Sequence, residues 1–381
     1  MTSPATVQQA LRLFFDPEGL DTQRRKVCSH LLACHTEAMG ETVLRCDHCA
    51  QEQHTYHSCR DRHCPQCQGR ATRLWVERQS EAVLPVAYYH LVFTLPHSLN
   101  GWMQLHPQVL YRLLFQCAWS TLKAFGKDPK RLGGQLGMSA VLHTWGQTLD
   151  QHVHLHCLVP GGALNEAGQW KGVKGNYLFP VKALSRHFRG AMVSALRESA
   201  NAGELKRVTR PGEINRLLDA LMQHEWVVYT RHCLSHTQSV VEYLGRYTHR
   251  IAITDARLLA VDEQGVVLRY KDYRDEGKSR SMHLAGEEFV RRYLLHVLPK
   301  GFTRIRHYGF LAGCCRVRKV AQIRAVLAGE KESTAHDPAP QANLSTALDI
   351  RYRCPRCKTG HLCVVAELAP RPMWKVKPRR Q

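Results

Sequence analysis

The stretch HVHLHCLVPGG, residues 152–162, places three histidines at alternate positions and ends in the turn-forming sequence Pro-Gly-Gly. Successive side chains of a β-strand point to opposite faces, so His152, His154 and His156 would share one face of a sheet. A single strand histidine is more often a half-buried polar residue, but three within five positions favour a divalent metal site. The stretch therefore predicts a strand with an apolar core face and a face of imidazoles.

The preceding segment, VLHTWGQTLDQ at residues 141–151, supplies another histidine, His143. A hairpin turn near residues 147–150 would make the two segments antiparallel neighbours and bring His143 to the same metal. His152 is the competing third ligand. Residues two apart on a strand are already separated by about 7 Å, so His152 would lie far from His156. We therefore predict a catalytic metal held by His154, His156 and His143.

The region around these segments reads as a mixture of short strands and helices. Aliphatic and aromatic residues predict strands at 88–95, 139–147, 153–160 and 226–232, and a hairpin over 257–273. Apolar residues at helical spacing predict helices at 181–199 and 213–223. Consecutive strands with the helices gathered elsewhere indicate an α+β domain, in which helices cover one side of a central antiparallel sheet.

The composition points to a nucleic-acid partner. The 381 residues include 53 Lys+Arg and 32 Asp+Glu, which gives a net charge of +21. Such an excess indicates a polyanionic partner, although ribosomal and membrane-surface proteins share it. No segment approaches the ~20 apolar residues of a membrane span, and the start of the chain lacks the features of a signal peptide. We therefore expect the 15 cysteines to be metal ligands or reduced thiols in the cytoplasm.

Two Cys-x-x-Cys knuckles, CDHC at residues 46–49 and CPQC at 64–67, are separated by fourteen residues. Each knuckle can offer two thiolates to one tetrahedral ion, which predicts a structural zinc site. Its predicted ligands are Cys46, Cys49, Cys64 and Cys67. The candidates for a second zinc ion, whose pairing stays open, are Cys34, Cys59 and His63, with His30, His35, His54 and His57 nearby. Basic surroundings predict that this module contacts phosphates.

A further cysteine-containing piece, CPRCKTGHLC at residues 354–363, resembles half of a zinc ribbon. It offers Cys354, Cys357, Cys363 and His361, which could close one site by themselves. The uneven distribution of cysteines then divides the chain into four parts. These are a zinc-binding, DNA-contacting domain at 1–80, a central domain at 85–327, a linker at 328–347 and a Cys-containing basic tail at 348–381.

The stretch QSVVEYLGRYTHRIAI, residues 238–253, places Tyr243 and Tyr247 one helical turn apart. Aromatic residues on an apolar stripe are more often core than catalyst. Here the neighbouring Arg246, His249 and Arg250, together with the predicted metal site, favour a catalytic role. Cations near a phenol favour the phenolate, and a divalent metal can orient a phosphate for attack. The pair is therefore interpreted as the nucleophiles of a DNA phosphotyrosine reaction.

Together these segments resemble a known family, the two-tyrosine rolling-circle transposases of bacterial insertion sequences, within the His-hydrophobe-His endonucleases. The resemblance covers nearly all of the chain, through SCRDRHCPQCQ, VLHTWGQTL, HVHLHCLVPGG, EYLGRYTHRIAI, RYKDYRD and FVRRYLLHVLPKGFTRIRHYGFLA. It implies His154 and His156 as the metal pair, Tyr243 and Tyr247 as nucleophiles, and Mg²⁺ or Mn²⁺ as the catalytic ion. It also implies nicking and joining of single DNA strands after binding of hairpin-containing ends, in a bacterial, nucleoid-associated protein of undetermined oligomeric state.

Two other classes of protein fit part of the pattern. A plasmid rolling-circle replication initiator or relaxase shares the nicking chemistry and differs in its substrate. A non-catalytic zinc-finger protein that binds nucleic acid would explain the charge and the knuckles. It would leave the histidine strand and the tyrosine pair as coincidences, and a nicking assay on single-stranded DNA separates these classes.

Overall fold

The structure is a computed structural model, and it describes residues 5–80, 82–175, 177–206, 211–233, 240, 245, 252–329 and 353–371. Within those ranges the helices are α1 Val7–Phe14, α2 Thr22–Ala33, α3 Gln68–Ser80, α4 Asn100–Leu105, α5 Pro107–Lys127, α6 Val181–Asn201, α7 Pro211–Gln223, α8 Gly286–Leu294 and α9 Arg316–Gly329. The strands are β1 Glu41–Cys46, β2 Glu52–Tyr56, β3 Tyr88–Thr94, β4 Gly137–Trp145, β5 Gln151–Pro160, β6 Gly162–Leu164, β7 Trp170–Gly172, β8 Val228–Cys233, β9 Leu258–Asp262, β10 Gly265–Asp272, β11 Lys278–Leu284, β12 Ile305–Gly309 and β13 Leu362–Leu368.

The centre of the molecule is a five-stranded antiparallel sheet with the order β12-β4-β5-β3-β8. The hairpin predicted between β4 and β5 is present, and its register places His143 directly opposite His154. The α+β class predicted from the sequence is confirmed.

One face of this sheet is covered by helices α4 to α7, which form the main hydrophobic core with it. The apolar residues of β5 that alternate with the histidines point into this core, among them Val153 and Leu155, both fully buried. Phe93 of β3 contacts Phe188 of α6 with ring centroids 4.9 Å apart. Each such side chain contributes about 1.5–3 kcal/mol when it is fully buried. The burial of this face fixes the register of β5 and turns its histidines to the other face.

A second core joins the N-terminal helices to a later part of the chain. Helices α1 and α2 pack with α8 and with the three-stranded sheet β11-β10-β9. Val7 and Leu11 of α1 and Phe289 of α8 are fully buried there. The segment predicted as a separate unit at 1–80 thus shares its core with residues 252–294, and the predicted domain boundaries stay a prediction.

The third sheet brings distant parts of the chain together. Strand β1 lies between β2 and β13 in the order β13-β1-β2, and both pairings are antiparallel. The piece that includes residues 353–371 therefore joins the N-terminal zinc region. Most of the linker predicted at 328–347 lies outside the described residues. Within the described ranges, none of the helices combines the length and apolar character needed to cross a membrane.

Candidate metal centres and family membership

Three histidines from β4 and β5 converge on the face of the central sheet opposite the main core. The ring nitrogens of His143, His154 and His156 all lie within 4.8 Å of one another. The Nε2 atoms of His154 and His156 are 3.1 Å apart. Cis ligands of an octahedral ion with bonds of about 2.1 Å are separated by about 3.0 Å, so the spacing of this pair suits a divalent ion.

Neighbouring groups orient two of these imidazoles. Nδ1 of His154 lies 2.8 Å from the carbonyl oxygen of His152, so a proton on Nδ1 leaves the lone pair on Nε2. Nδ1 of His156 lies 2.8 Å from Nε2 of His90, and the two rings stack with an interplanar angle of 9°. Metal-ligating histidines characteristically use the second ring nitrogen in this way. Both side chains are thus set to present Nε2 to an ion.

His90 is a site residue that sequence reasoning missed. It lies in the predicted strand 88–95, and the structure places it on the same face as His156 because Tyr88, His90 and Val92 alternate with core residues. The signal was present in the sequence, since a histidine stands in the middle of a strand that is otherwise aliphatic and aromatic up to Thr94. The strand order β5-β3 was needed to identify its neighbour.

The structure separates the two candidates for the third ligand. His143 is 3 % exposed and stacks on Trp145 with centroids 4.5 Å apart, and it belongs to the three-histidine group. His152 lies outside that group, with its Nδ1 atom 3.1 Å from Nε2 of the exposed His97. The arrangement thus follows the predicted strand pairing, and the assignment of His143 as a ligand stays a prediction.

The groups around the three-histidine site are neutral or positively charged, and the strands of the sheet add no carboxylate. Burial, followed by the influence of His152, lowers the pKa of His154 to about 4, so its imidazole is neutral and can donate a lone pair at pH 7. Burial, followed by the charge of Arg231, likewise lowers the pKa of His90 to about 4. None of the five strands of the central sheet contains Asp or Glu. This face therefore suits a metal ion that binds a phosphate.

Four cysteines form cluster A, near the start of the chain. Cluster A consists of Cys34, Cys59, Cys64 and Cys67. Cys34 follows α2, Cys59 follows β2, and the other two immediately precede α3. Separations between their sulfur atoms are 3.6 Å for Cys34 and Cys67 and 3.7 Å for Cys59 and Cys67.

Another four cysteines form cluster B, which joins two distant knuckles. Cluster B consists of Cys46, Cys49, Cys354 and Cys357. The antiparallel pairing of β1 with β13 places Cys46 opposite Leu362 and so brings the knuckles together. Sulfur atoms are 3.7 Å apart between Cys46 and Cys357 and also between Cys49 and Cys354.

Both clusters have the dimensions and the backbone of zinc sites. A tetrahedron with Zn–S bonds of about 2.3 Å has S···S edges of about 3.8 Å, close to the separations observed. The residues that follow Cys34, Cys49, Cys59 and Cys357 all have φ between 53° and 59°, although none of them is glycine. Backbone N–H groups of Asp61 and Gly360 lie 3.5 Å and 3.3 Å from the sulfur atoms of Cys59 and Cys357. Such donors favour thiolates, and the pKa of Cys357 is lowered to about 5 by the Thr359 hydroxyl and the backbone amides of Gly360 and Thr359.

The cysteine pairing predicted from the sequence is wrong. The knuckles at 46–49 and 64–67 lie in different clusters, because each is completed by partners that the fold supplies from elsewhere. The piece at 354–363 does not close a site by itself. Its Cys354 and Cys357 complete cluster B, whereas Cys363 and His361 lie outside it.

His63 is also excluded from the cysteine clusters by its contacts. Its Nδ1 atom lies 2.9 Å from Oδ1 of Asp61, and its Nε2 atom accepts from the backbone N–H of Leu298 at 3.1 Å. Both ring nitrogens are therefore already engaged. The four sulfur atoms of cluster A make a complete tetrahedral set without it.

The predicted nucleophiles Tyr243 and Tyr247 lie outside the described residues. Two residues of the same stretch are described. Val240 is buried against Tyr88 and Leu158, on the histidine face of the sheet. A Cβ atom at Gly245 would lie 2.6 Å from the side chain of Val76 in α3.

Comparison with known proteins shows the family of the chain. Residues 137–319 match the family described as "Putative transposase", and residues 6–95 match the "Transposase zinc-binding domain" of the IS91 type. The chain is 38% identical over 358 residues to "Putative transposase y4qJ" of Sinorhizobium fredii (strain NBRC 101917 / NGR234), which covers 91% of this chain and 90% of the relative. The chain belongs to this transposase family. It is also 29% identical over 321 residues to "Transposase for insertion sequence element IS801" of Pseudomonas savastanoi pv. phaseolicola, covering 81% of this chain and 75% of that protein.

Membership fixes the general activity of the chain. As a transposase it acts on DNA, and its class is that of enzymes that cleave DNA and transfer strands. The zinc-binding domain and the two four-cysteine clusters support structural Zn²⁺. No solved structure is significantly similar to this chain.

Proposed function

We propose that this transposase nicks and rejoins single DNA strands through a 5′-phosphotyrosine intermediate and so drives rolling-circle transposition of an insertion sequence. The observation that carries the proposal is the convergence of His143, His154 and His156 on a sheet whose strands contain no carboxylate. In a DNA-cleaving enzyme, this set of donors fits an ion that also binds the scissile phosphate.

Each residue of the centre has a separate task. His154 and His156 would hold the ion through Nε2, and His143 would supply the third nitrogen from the neighbouring strand. His90 and the carbonyl of His152 fix the orientation of the two strand ligands. A bound Mg²⁺ or Mn²⁺ ion withdraws charge from the phosphate oxygens and orients the phosphate. Since imidazole is a softer ligand than carboxylate, we expect Mn²⁺ to serve better than Mg²⁺.

The proposed nucleophiles are Tyr243 and Tyr247. The phenolic oxygen of one tyrosine forms a bond to phosphorus as the bond from phosphorus to the 3′ oxygen breaks. The phenol loses its proton to water, and the departing 3′ oxygen gains one to become a hydroxyl. The ester on the tyrosine retains the 5′ phosphate, so the reverse step can seal a strand without ATP. Two tyrosines allow two strands to be held during exchange.

The proposed substrates are single strands and hairpins from the ends of the element, in a bacterial cytoplasm where the nucleoid provides the target.

The location of the described part of the 238–253 stretch supports the assignment of Tyr243 and Tyr247 as the nucleophiles. Val240 packs on Leu158, two residues beyond His156 on the same face of β5.

The decisive experiment is the capture of a covalent adduct. We expect the purified protein, incubated with labelled single strands from its element ends and Mn²⁺, to form a protein–DNA band that survives denaturation. Tyr243→Phe together with Tyr247→Phe should abolish this band, because each substitution keeps the ring and removes only the hydroxyl. One of the two single variants can still make the first cut, since one phenol suffices for it, whereas transposition needs both tyrosines.

Mass spectrometry of the trapped adduct identifies the modified residue. A nucleotide on Tyr243 or Tyr247 supports the mechanism. A nucleotide on any other residue, or full transposition by the double Phe variant, would remove it. Normal DNA binding by the double variant is the control for folding.

A further inference from the structure

The edge strand of the histidine face carries an exposed aromatic and basic stripe. Val227, Tyr229 and Arg231 alternate with residues that point to the opposite side, such as Val228 in the main core. Val227 is 65% exposed, Tyr229 is 50% exposed, and Arg231 is exposed. The stripe lies on β8 and the residue before it, at one edge of the sheet.

Strand register relates this stripe to the proposed metal site. His156 pairs with Val92 of β3, and Val92 pairs with Tyr229 of β8. Two strand spacings separate the backbones of His156 and Tyr229, which amounts to about 10 Å. At a rise of about 3.4 Å per stacked nucleotide, this distance spans about three nucleotides.

Val92 and His90 lie between the two positions on the same face of the sheet. Val92 is small and half-buried, and His90 beside it is 5% exposed. No strand of the central sheet brings a carboxylate to this face. The strands between the histidines and β8 therefore present no carboxylate to an extended polyanion.

Among the described strands β8 is an edge of the central sheet, and exposure of this kind is unfavourable on an edge strand. An open edge with apolar side chains is a site of unwanted association, and natural proteins usually protect it. Among the candidate partners, single-stranded DNA matches both parts of the stripe. An aromatic ring can stack on any base, and an arginine beside it can pair with a phosphate.

We propose that Tyr229 and Arg231 form a platform for single-stranded DNA next to the cleavage site. A base about three nucleotides from the scissile phosphate stacks on the Tyr229 ring, and a flanking phosphate pairs with Arg231. The inference rests on the proposed function, because the scissile phosphate lies at the three histidines. The platform positions the strand and takes no part in bond formation.

The test measures DNA binding without metal, so it does not depend on nicking. Two probes are compared by fluorescence anisotropy, a labelled twelve-thymidine strand and an abasic strand of the same length. Tyr229→Ser should weaken binding of the thymidine strand by about 5- to 150-fold, the range for loss of one base–aromatic stack, and should leave binding of the abasic strand unchanged. Arg231→Gln should weaken both and reduce the salt dependence by about 0.7 in slope, as for one phosphate on a single strand.

Two control variants make the result specific. Tyr229→Phe keeps the ring and should bind as the unaltered protein does. Tyr273→Ser removes another exposed tyrosine, 73% accessible at the end of β10, and should have little effect.

Several results would overturn the platform. One is full binding of the thymidine strand by Tyr229→Ser, and another is an equal loss of binding by this variant with both probes. The third is a lower sedimentation coefficient of Tyr229→Ser than of the unaltered protein, which would show that β8 contacts a second copy of the chain. Failure to form a tyrosine adduct with DNA binding as expected would contradict the proposed function and leave the platform standing.

Discussion

At the scale of single residues, His154 shows how burial and orientation act together. Burial keeps its imidazole neutral, and the carbonyl of His152 directs the lone pair of Nε2 towards the other ligands. His156 is arranged in the same way by His90. A site whose rings are oriented before the ion arrives loses less side-chain entropy when it binds.

The first prediction concerns the three ligands. His154→Ala and His156→Ala should each reduce nicking by about 100-fold or more, since the ion loses a ligand and the phosphate loses its orientation. His143→Ala should behave in the same way, and His152→Ala should be milder. Nicking assays and Mn²⁺ binding followed by electron paramagnetic resonance measure both effects. DNA binding should persist, because it comes from Lys and Arg contacts to phosphates. An inactive His152→Ala with an active His143→Ala would reverse the assignment.

The second prediction concerns His296, which is buried between Thr144 and the Leu149 carbonyl. Burial lowers its pKa to about 4, below the value near 6.5 of an unfolded chain. Between these values the unfolded state binds more protons, so the free energy of unfolding should fall as the pH drops from about 6.5 to about 4. This group contributes at most about 3 kcal/mol to that loss. Above pH 6.5 its contribution is constant.

Urea unfolding at pH 7 and pH 4.5 checks this sign. His296→Gln keeps hydrogen-bonding groups and does not titrate, so its stability should change less between the two pH values than that of the unaltered protein. Equal changes in the free energy of unfolding of both proteins would show that His296 does not contribute to its pH dependence.

What the sequence reveals at this scale depends on spacing. The alternate positions of the histidines predicted both the strand and its metal-facing side, because a period of two is a property of the backbone. The role of His63 could not be found in this way, and its prediction as a candidate zinc ligand was wrong. Its position beside Cys64 says nothing of the direction of its side chain, which Asp61 and Leu298 determine.

At the scale of elements, the loop between Cys59 and Cys64 of cluster A supports the β4–β5 hairpin, which carries the three histidines. Arg62 donates to the carbonyl of Pro299 at 3.0 Å, and His63 accepts from the N–H of Leu298. The same segment includes His296, which contacts Thr144 at the end of β4 and Leu149 in the turn to β5. Cluster A and the β4–β5 hairpin are thereby joined through hydrogen bonds to the segment 296–299, which lies between them.

The third prediction tests this brace. His63→Leu should lower the free energy of unfolding by about 2–3 kcal/mol, because it removes one partner of the Asp61 carboxylate and leaves the buried Leu298 amide without its acceptor. His54→Leu is a matched control, since it removes an exposed pair with Glu41 and should cost under about 1 kcal/mol. Urea unfolding at pH 7 measures both. A loss of similar size in the two variants would show that the brace does not stabilise the fold.

Elements also explain why the zinc pairing could not be predicted from the sequence. The strands β3, β4, β5 and β8 follow from local composition, and the structure has them at the predicted places within a few residues. Cysteine pairing depends instead on which strands become neighbours. Cys49 and Cys354 are 305 residues apart, and only the pairing of β1 with β13 brings them together.

At the scale of the whole molecule, cluster B ties the N-terminal region to residues 353–371. A cross-link that spans 305 residues restricts the unfolded chain greatly, by about 6 kcal/mol in the chain-entropy treatment used for disulfides. The net charge of +21 opposes compaction through self-repulsion, so such a tie offsets part of that cost in the absence of DNA. Zinc in cluster B therefore contributes to the stability of the entire chain.

The last prediction separates the tie from the peptide connection. A protease site is placed in the sequence between Gly329 and Arg353, and the purified protein is cut there. The fragment that includes β13 should stay with the rest of the molecule on size-exclusion chromatography, because strand pairing and zinc hold it. A chelator should release it, and so should Cys354→Ser with Cys357→Ser in the absence of a chelator. Cys363→Ser is the control and should change nothing, since Cys363 is exposed and lies outside the cluster. Departure of the fragment while both zinc ions stay bound to the larger part would show that cluster B does not join the two regions.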